Sequence, residues 1–259
     1  MTGRAALLAV ADRISAVWRL VPESWRHHLL FGMLVLESRD RDAAEGLRRL
    51  FRIDDRLALA INERAMALGR GEHPKHRLTN YHRFFIERLG ETARVLDVGC
   101  GYGAVARSIA RARPRGVVVG IDYDEGRLSQ AKAADNPPNL RFVLGDATKS
   151  VPEGPWNAIV LSNVLEHIAD RVGLLKALKE RTGARQILIR VPLFERGWQM
   201  AMRRELGVNY YSDPDHKIEH RVADFEGEMR AAGMVILELK TSWGEIWADC
   251  RVPDGAGPA

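Results

Sequence analysis

Cysteine is scarce in this chain: Cys100 and Cys250 are the two in 259 residues, too few for a disulfide framework. Long apolar runs are missing as well. The longest, Leu29 to Leu36, falls far short of the roughly 20 residues that cross a bilayer, so the sequence predicts no transmembrane helix. The N-terminus lacks the organisation of a signal peptide, and no internal repeat is visible. Together these absences exclude a secreted disulfide scaffold, an integral membrane protein and a solenoid, and they make a cytoplasmic location the expectation. Charge of one sign is lacking too, with 39 Lys and Arg against 34 Asp and Glu. Residues 1–78 hold 14 of those bases and 10 of the acids, which leaves 25 and 24 for the rest. A margin of four over 78 residues, with the acids interspersed, reads as a solvated helix surface rather than a nucleic-acid footprint.

What is present is an ordinary globular composition, 46% hydrophobic and 28% charged. Apolar positions at helical spacing predict helices near 5–20, 23–37, 41–51 and 54–68. Gly and Pro in GRGEHPKH at 69–76 then interrupt the pattern. A further helix is expected near 79–89. Beyond it, short β-rich runs alternate with helical stretches, as in a parallel sheet with crossover helices. The runs are RVLDV (94–98), GVVVGI (116–121), LRFVL (140–144), WNAIVL (156–161) and QILIRV (186–191). Each is almost continuously apolar, which fits strands covered on both faces. MVILELK (234–240) and WGEIWADC (243–250), separated by Thr241 and Ser242, read as a closing antiparallel hairpin. The expected fold class is therefore α/β: a doubly wound, mostly parallel seven-stranded sheet ending in that hairpin. The expected division is a helical extension over 1–72, the sheet domain over 73–252, and a disordered tail over 253–259.

In a doubly wound sheet, ligands sit beyond the carboxyl ends of the strands. The turn after the first strand, VLDVGCGYG at 95–103, is thus a site by position. Gly99, Gly101 and Gly103 allow a sharp turn and close approach of backbone to ligand. Gly99, Gly101 and Ala104 also satisfy the dinucleotide fingerprint, with Asp122 about 20 residues on. Two acids separate the alternatives. Asp97, two residues before the leading glycine, would repel a pyrophosphate but suits a cationic amino group. Asp146 in GDAT (145–148) follows the third strand, where a carboxylate can accept a hydrogen bond from an adenine amino group; taken alone, it would be read as a turn residue.

VLDVGCGYG, GIDYD (120–124), GDAT and SNVLEHI (162–168), in this order and spacing, resemble the class I S-adenosylmethionine-dependent methyltransferases. The resemblance covers roughly residues 79–250. It implies a Rossmann-like core and S-adenosylmethionine as cofactor. It also implies that Asp97 and the three glycines line the methionine end, Asp122 binds the ribose hydroxyls, and Tyr123 packs on the adenine. Asp146 and Ala147 would read the adenine edge, and Ser162 would lie beside the cofactor. In related enzymes the segment ahead of the core often closes over the cofactor carboxylate, which makes Arg77 and Tyr81 candidates there.

Methyl transfer to a hydroxyl needs a base, and histidine is the usual one. His216, in DPDHKIEHRVADF, is the first candidate, with His167 and Glu166 as further catalytic candidates. Glu166 and His167 with a distant His216 also resemble the metal site of ubiquinone-pathway O-methyltransferases and of small-RNA 3′-terminal 2′-O-methyltransferases. A divalent ion there would bind Glu166, His167 and His216 and lower the pKa of the acceptor oxygen. The sequence departs from that pattern at Asn163, where a carboxylate belongs, so a metal is the less favoured reading. Residues 191–217 form the expected acceptor-specificity region, with Phe194, Trp198, Tyr210 and Tyr211 as an aromatic wall and Arg196, Arg203 and Arg204 as anion binders. The competing reading is an amphipathic helix that packs Trp198 and Met202 into the core.

The leading functional reading is O-methylation of a small molecule or a saccharide. An RNA methyltransferase of 2′-O type is the alternative, though no nucleic-acid module accompanies the core. A non-catalytic cofactor-binding protein is the third. Trp18, Trp25, Phe31 and LLFGMLVL at 29–36 leave three uses open for the N-terminal helices: a homodimer contact, a roof over the active site, or a peripheral membrane contact.

Overall fold

The computed structural model describes residues 10–11, 14–70 and 73–253. The expected helix over 5–20 therefore lies partly outside the described residues, although 14–18 are helical. The tail beyond 253 lies outside them too. The chain divides into two compact units, Met1–Glu63 with Arg203–Asn209, and Arg64–Met202 with Tyr210–Ala259.

The first unit is helical. Helix α1 spans Glu23–Ser38, and α2 runs unbroken over Ala43–Leu68, where the sequence pattern predicts two helices meeting near Ile53. Asp54 and Asp55 look like a helix start, but no Gly or Pro enforces one. Their carboxylates instead turn outward to Arg203, whose Nη2 and Nη1 lie 2.6 and 2.8 Å from them. The Arg203 guanidinium also lies 4.4 Å from the centre of the Phe51 ring.

In the second unit, α3 (Lys75–Thr79) and α4 (Tyr81–Glu87) replace the single helix expected near 79–89. Asn80 breaks it by taking a left-handed conformation, φ +49°, which Asn tolerates better than most residues. The sheet follows as β1 (Arg94–Val98), α5 (Ala104–Ala112), β2 (Val117–Asp122), α6 (Glu125–Ala133), β3 (Leu140–Leu144), β4 (Ala158–Ser162), α7 (Arg171–Thr182), β5 (Gln186–Pro192), α8 (Trp198–Glu205), α9 (Val222–Ala231), β6 (Val235–Ser242) and β7 (Glu245–Arg251). Strand order is β3-β2-β1-β4-β5-β7-β6. The first five strands pair in parallel, and β7 runs antiparallel to both β5 and β6.

Alternate side chains of the central strands feed two apolar layers, as the two-residue strand period requires. Val95, Val118, Val160 and Leu188 pack with Phe84 and Phe85 of α4 and Ile109 of α5. Leu96, Val119, Ile159 and Ile187 pack with Leu175 and Leu178 of α7 and Phe225 and Met229 of α9. With both faces covered, the strands must be apolar throughout, which is why their sequence signal is so clear. The hairpin turn is Trp243-Gly244, with φ of +55° and +75°, rather than Thr241-Ser242. Two left-handed central residues match the twist of the flanking strands.

This order reverses direction between β1 and β4, and the carboxyl ends of those strands form the switch point where open α/β sheets hold ligands.

Candidate active site

Two cavities open at the switch point. The smaller, about 300 Å³, is lined by Ile121, Asp122, Tyr123, Asp146, Ala147 and His167 among others. The larger, about 940 Å³, is lined by Lys75, His76, Tyr81, Asp97, Ser162 and Arg190 among others. Gly99 and Asn163 belong to the walls of both.

The glycine loop between them is built by contacts as much as by flexibility. Gly99 has φ +66°, and a Cβ on it would stand 2.7 Å from Val164 Cγ2. One on Gly103, φ +76°, would stand 2.4 Å from Phe142. Both positions exclude a side chain. A Cβ on Gly101 would meet nothing within 4 Å, so that residue faces open space. Its N–H donates to Asp122 Oδ2 at 2.7 Å, and Asp124 N–H donates to Asp122 Oδ1 at 2.9 Å. The acid at the end of β2 thus braces the loop and also lines the smaller cavity.

Asp97, 1% exposed at the end of β1, is different. Its Oδ2 has no hydrogen-bond partner. Burial pushes its pKa up to about 7, against the pull of the Ala106 backbone amide and with the push of the Asp122 charge. A buried carboxylate oxygen left without a donor is costly, and a cationic ligand in the larger cavity would satisfy it. The donor set fits a ligand bearing an ammonium group.

Asp146 is already engaged. Its Oδ1 accepts from the Thr148 N–H at 3.0 Å and hydroxyl at 2.7 Å, and Lys149 Nζ lies 3.1 Å from Oδ2. Those hydrogen bonds hold its pKa down. The turn role weighed for it is realised, and the residue still lines the smaller cavity with Ala147. Tyr123 stands 71% exposed on the same wall.

Over the larger cavity, Tyr81 is buried, with its ring 3.7 Å beneath the Arg190 guanidinium. Its hydroxyl is 2.7 Å from His76 Nδ1, and burial pushes its pKa up to about 12. Arg190 donates to Ser162 Oγ at 3.1 Å and to Glu245 Oε2 at 2.6 Å. Arg77 is exposed and outside both linings, whereas Tyr81 lines the larger cavity. Sequence reasoning missed Arg190, and the signal was there: a charged residue inside the apolar run QILIRV has to be paired or facing a cavity.

Glu166, His167 and His216 do come together, their donor atoms all within 4.8 Å of one another. Glu166 is fully buried, accepts from Asn163 Nδ2 at 2.7 Å through Oε1, and has Oε2 without a partner. Burial pushes its pKa up to about 7. His167 reaches the smaller cavity and lies 3.1 Å from Asp215 Oδ2, a charge contact without hydrogen-bond geometry. Burial lowers its pKa. His216 lines neither cavity. Burial alone would lower its pKa, but the 2.9 Å contact with Glu219 and the charges of Glu166 and Glu219 hold it above the ordinary value. Of the two imidazoles, His167 is the one that lines a cavity.

The expected acceptor region is mostly self-engaged. Arg203 is bound to Asp54 and Asp55, and Arg196 to Glu219 and the Tyr210 carbonyl. This removes both as free anion binders. Phe194, Tyr210 and Tyr211 do form an aromatic cluster, with Tyr210 and Tyr211 stacked at 4.4 Å. Trp198 is 66% exposed, in neither the wall nor the core.

Comparison with known proteins gives the family and the fold. The family described as Methyltransferase domain matches residues 70–239. The chain is 32% identical over 91 residues to trans-aconitate 2-methyltransferase of Streptomyces avermitilis, covering 34% of each chain. It is 30% identical over 92 residues to malonyl-[acyl-carrier protein] O-methyltransferase of Magnetococcus marinus, covering 35% of this chain and 34% of that one. The matched stretches span about a third of these curated relatives. Among solved structures, magnesium protoporphyrin IX methyltransferase from Synechocystis PCC 6803, with SAH bound, superposes with a TM-score of 0.55 at 16% identity, covering 69% of this chain and 83% of that one. The calicheamicin-biosynthesis methyltransferase CalO1 gives a TM-score of 0.55 at 18% identity, covering 76% and 60%. At these identities the structures speak for the fold.

Proposed function

This chain belongs to the methyltransferase-domain family, and from that premise we propose that it is an S-adenosylmethionine-dependent O-methyltransferase acting on a small molecule. The observation that carries the cofactor assignment is the buried, half-unpartnered Asp97 carboxylate at the wall of the larger cavity. In this reading Asp97 receives the ammonium of the methionine moiety, and Gly101 leaves room for backbone approach. Asp122 faces the ribose while bracing the loop, and Tyr123, Asp146 and Ala147 border the adenine. Ser162 and Tyr81, with Arg190 above it, close the methionine side.

When bound, S-adenosylmethionine supplies an electrophilic methyl group on a sulfonium. The chain's own task is then alignment, which can account for roughly 7–11 kcal/mol of such a barrier. His167, held neutral by burial, takes the acceptor proton where the acceptor is a hydroxyl. Acceptors named for relatives, trans-aconitate and malonyl-[acyl-carrier protein], make a carboxylate an equally apt acceptor oxygen, and that group has no proton to lose.

Calorimetric titration with S-adenosylmethionine beside NAD tests the cofactor. Saturable binding of the first alone is expected, and binding of NAD alone would overturn the reading. Incubation of methyl-labelled cofactor with fractionated extracts tests the acceptor class; label recovered only in RNA or on protein side chains would refute a small-molecule acceptor.

A divalent metal is a second reading, favoured by Glu166 Oε2, buried without a partner in a residue whose carboxylate lies near both imidazoles. Glu166, His167 and His216 would hold the ion, which would polarise the acceptor oxygen. Manganese binding seen by electron paramagnetic resonance, and lost in Glu166→Gln, is the expected result; no binding at millimolar metal would refute it.

A further inference from the structure

The two cavities at the switch point carry opposite charge. Asp122, Asp146, Asp213 and Asp215 line the smaller one, with Arg127 and His167. Lys75, Arg107, Arg111 and Arg190 line the larger, with Asp97 and Asp135. An acid-lined wall suits groups that donate, such as ribose hydroxyls and an adenine amino group. A base-lined wall calls for an anion.

Three of the four bases in the larger cavity are already engaged. Arg107 donates to Asn136 Oδ1 at 3.0 Å and to the Tyr102 carbonyl at 3.1 Å. Arg111 donates to the Asp135 carbonyl at 2.8 Å and lies 3.2 Å from its Oδ2. Arg190 is paired with Glu245 through two nitrogens. Lys75, the first residue of α3, differs: no group among the described residues bonds its ammonium. The residue is accessible, yet the protein around the ammonium, and then the like charge of Arg190, lower its pKa against the pull of Glu245 and Glu166. An anion beside it would offset that repulsion.

Position separates this cation from the cofactor's amino-acid end. The charges acting on the Tyr81 hydroxyl are those of Arg190, Glu245 and Asp97, whereas Arg190, Glu245 and Glu166 act on the Lys75 ammonium. Tyr81 therefore stands on the Asp97 side of Arg190, and Lys75 on the side of Glu166 and its neighbour His167. At about 940 Å³, the cavity is at the upper end of the roughly 300–1,000 Å³ of small-molecule sites. It has room for an acceptor beside the methionine moiety.

We propose, resting on the S-adenosylmethionine reading, that the acceptor is a small carboxylic acid whose carboxylate is held by Lys75 while a different oxygen of the same molecule takes the methyl group. One positive charge without a partner matches a carboxylate better than a doubly charged phosphate. The carboxylate paired with the ammonium is the weaker nucleophile, so the reacting oxygen is a hydroxyl or a second carboxylate. That oxygen forms the new bond to carbon, and the methyl–sulfur bond breaks with its electron pair left on sulfur, giving S-adenosylhomocysteine. A hydroxyl gives its proton to His167; a second carboxylate has none to give. The product keeps the carboxylate on Lys75 and hence a negative charge.

The small molecules of a cell extract, treated with alkaline phosphatase and passed over anion-exchange resin, give a retained and an unretained pool. Each is incubated with methyl-labelled S-adenosylmethionine and the full chain. Label is expected from the retained pool alone, in products that the resin still retains. Lys75→Met should need about tenfold more of that pool for half-maximal labelling, an effect between those of a rim charge and a buried pair. Its S-adenosylmethionine affinity by calorimetry should be that of wild type, and Lys75→Arg should recover most of the labelling. Label from the unretained pool, or from neither pool, overturns the proposal, as does a Lys75→Met variant that labels like wild type. Weakened cofactor binding in Lys75→Met overturns it too, by assigning the lysine to the cofactor carboxylate. Failure of the wild type to bind S-adenosylmethionine would instead remove the underlying reading, and the calorimetry registers that separately.

Discussion

Asp97 and Asp146 are both carboxylates beside the carboxyl ends of strands, yet their surroundings are opposite. Asp97 is buried in the wall of the larger cavity with one oxygen lacking a donor and a pKa raised to about 7. Asp146 is half-buried at the smaller cavity, with Thr148 and Lys149 on its oxygens and its pKa lowered. The first group is unsatisfied in the protein alone, whereas the second is already complete. A ligand arriving at Asp97 relieves a desolvation cost that folding left in place, so binding energy is concentrated there. At Asp146 a ligand has to share an acceptor with the local turn.

The sharpest way to break this contrast is Asp97→Ala. Removing one partner of a buried charge pair costs about 2–5 kcal/mol, so cofactor affinity measured by calorimetry should fall roughly 30-fold or more. An unchanged affinity would mean that Asp97 is a structural acid.

The next effect is on pH. If the cofactor ammonium binds the ionised form, affinity should rise close to tenfold per pH unit below 7 and level off above it, and the slope should vanish in Asp97→Asn. The free protein follows the opposite course. The folded pKa lies above the ordinary carboxylate value, so the unfolded chain loses this proton first and the stability contributed by this group falls as pH rises toward 7. The melting-temperature increase on adding cofactor should therefore be larger at pH 8 than at pH 6. A cofactor shift independent of pH would remove Asp97 from the binding interaction.

Asp146→Ala should do least. Its half-buried side chain makes turn contacts worth about 1 kcal/mol, and a change in cofactor affinity beyond tenfold would show that it contacts the ligand more directly than its present bonds imply.

The same contrast explains what the sequence could reveal. Strands covered on both faces have no choice but to be apolar, and VLDVGCGYG at 95–103 combines a strand end with a loop whose Gly99 and Gly103 admit no side chain. Those features are local and were legible. Pairings between distant residues were not. Nothing near Arg203 announces Asp54 and Asp55, and nothing near His216 announces that the Glu166 charge helps hold its pKa up. Helix α2 was read as broken for the same reason, because its two acids serve a distant arginine rather than a cap. The hairpin turn was misplaced by two residues because Trp243 occupies a left-handed position that sequence rules assign to Asn or Gly.

Asn163 is shared by the walls of both cavities. Its backbone is left-handed, φ +57°, its N–H donates to the Arg190 carbonyl at 2.8 Å, and its amide donates to Glu166. One residue therefore answers to β5 on one side and to the Glu166–His167 corner on the other. A common wall makes the occupants of the two cavities thermodynamic neighbours. Any shift of Asn163 that favours a ligand in one cavity by a given factor must, by linkage, let that ligand be favoured by the same factor from the other. In the proposed reading the methionine and adenine ends of one cofactor occupy the two cavities, so this single asparagine couples the two ends of one ligand.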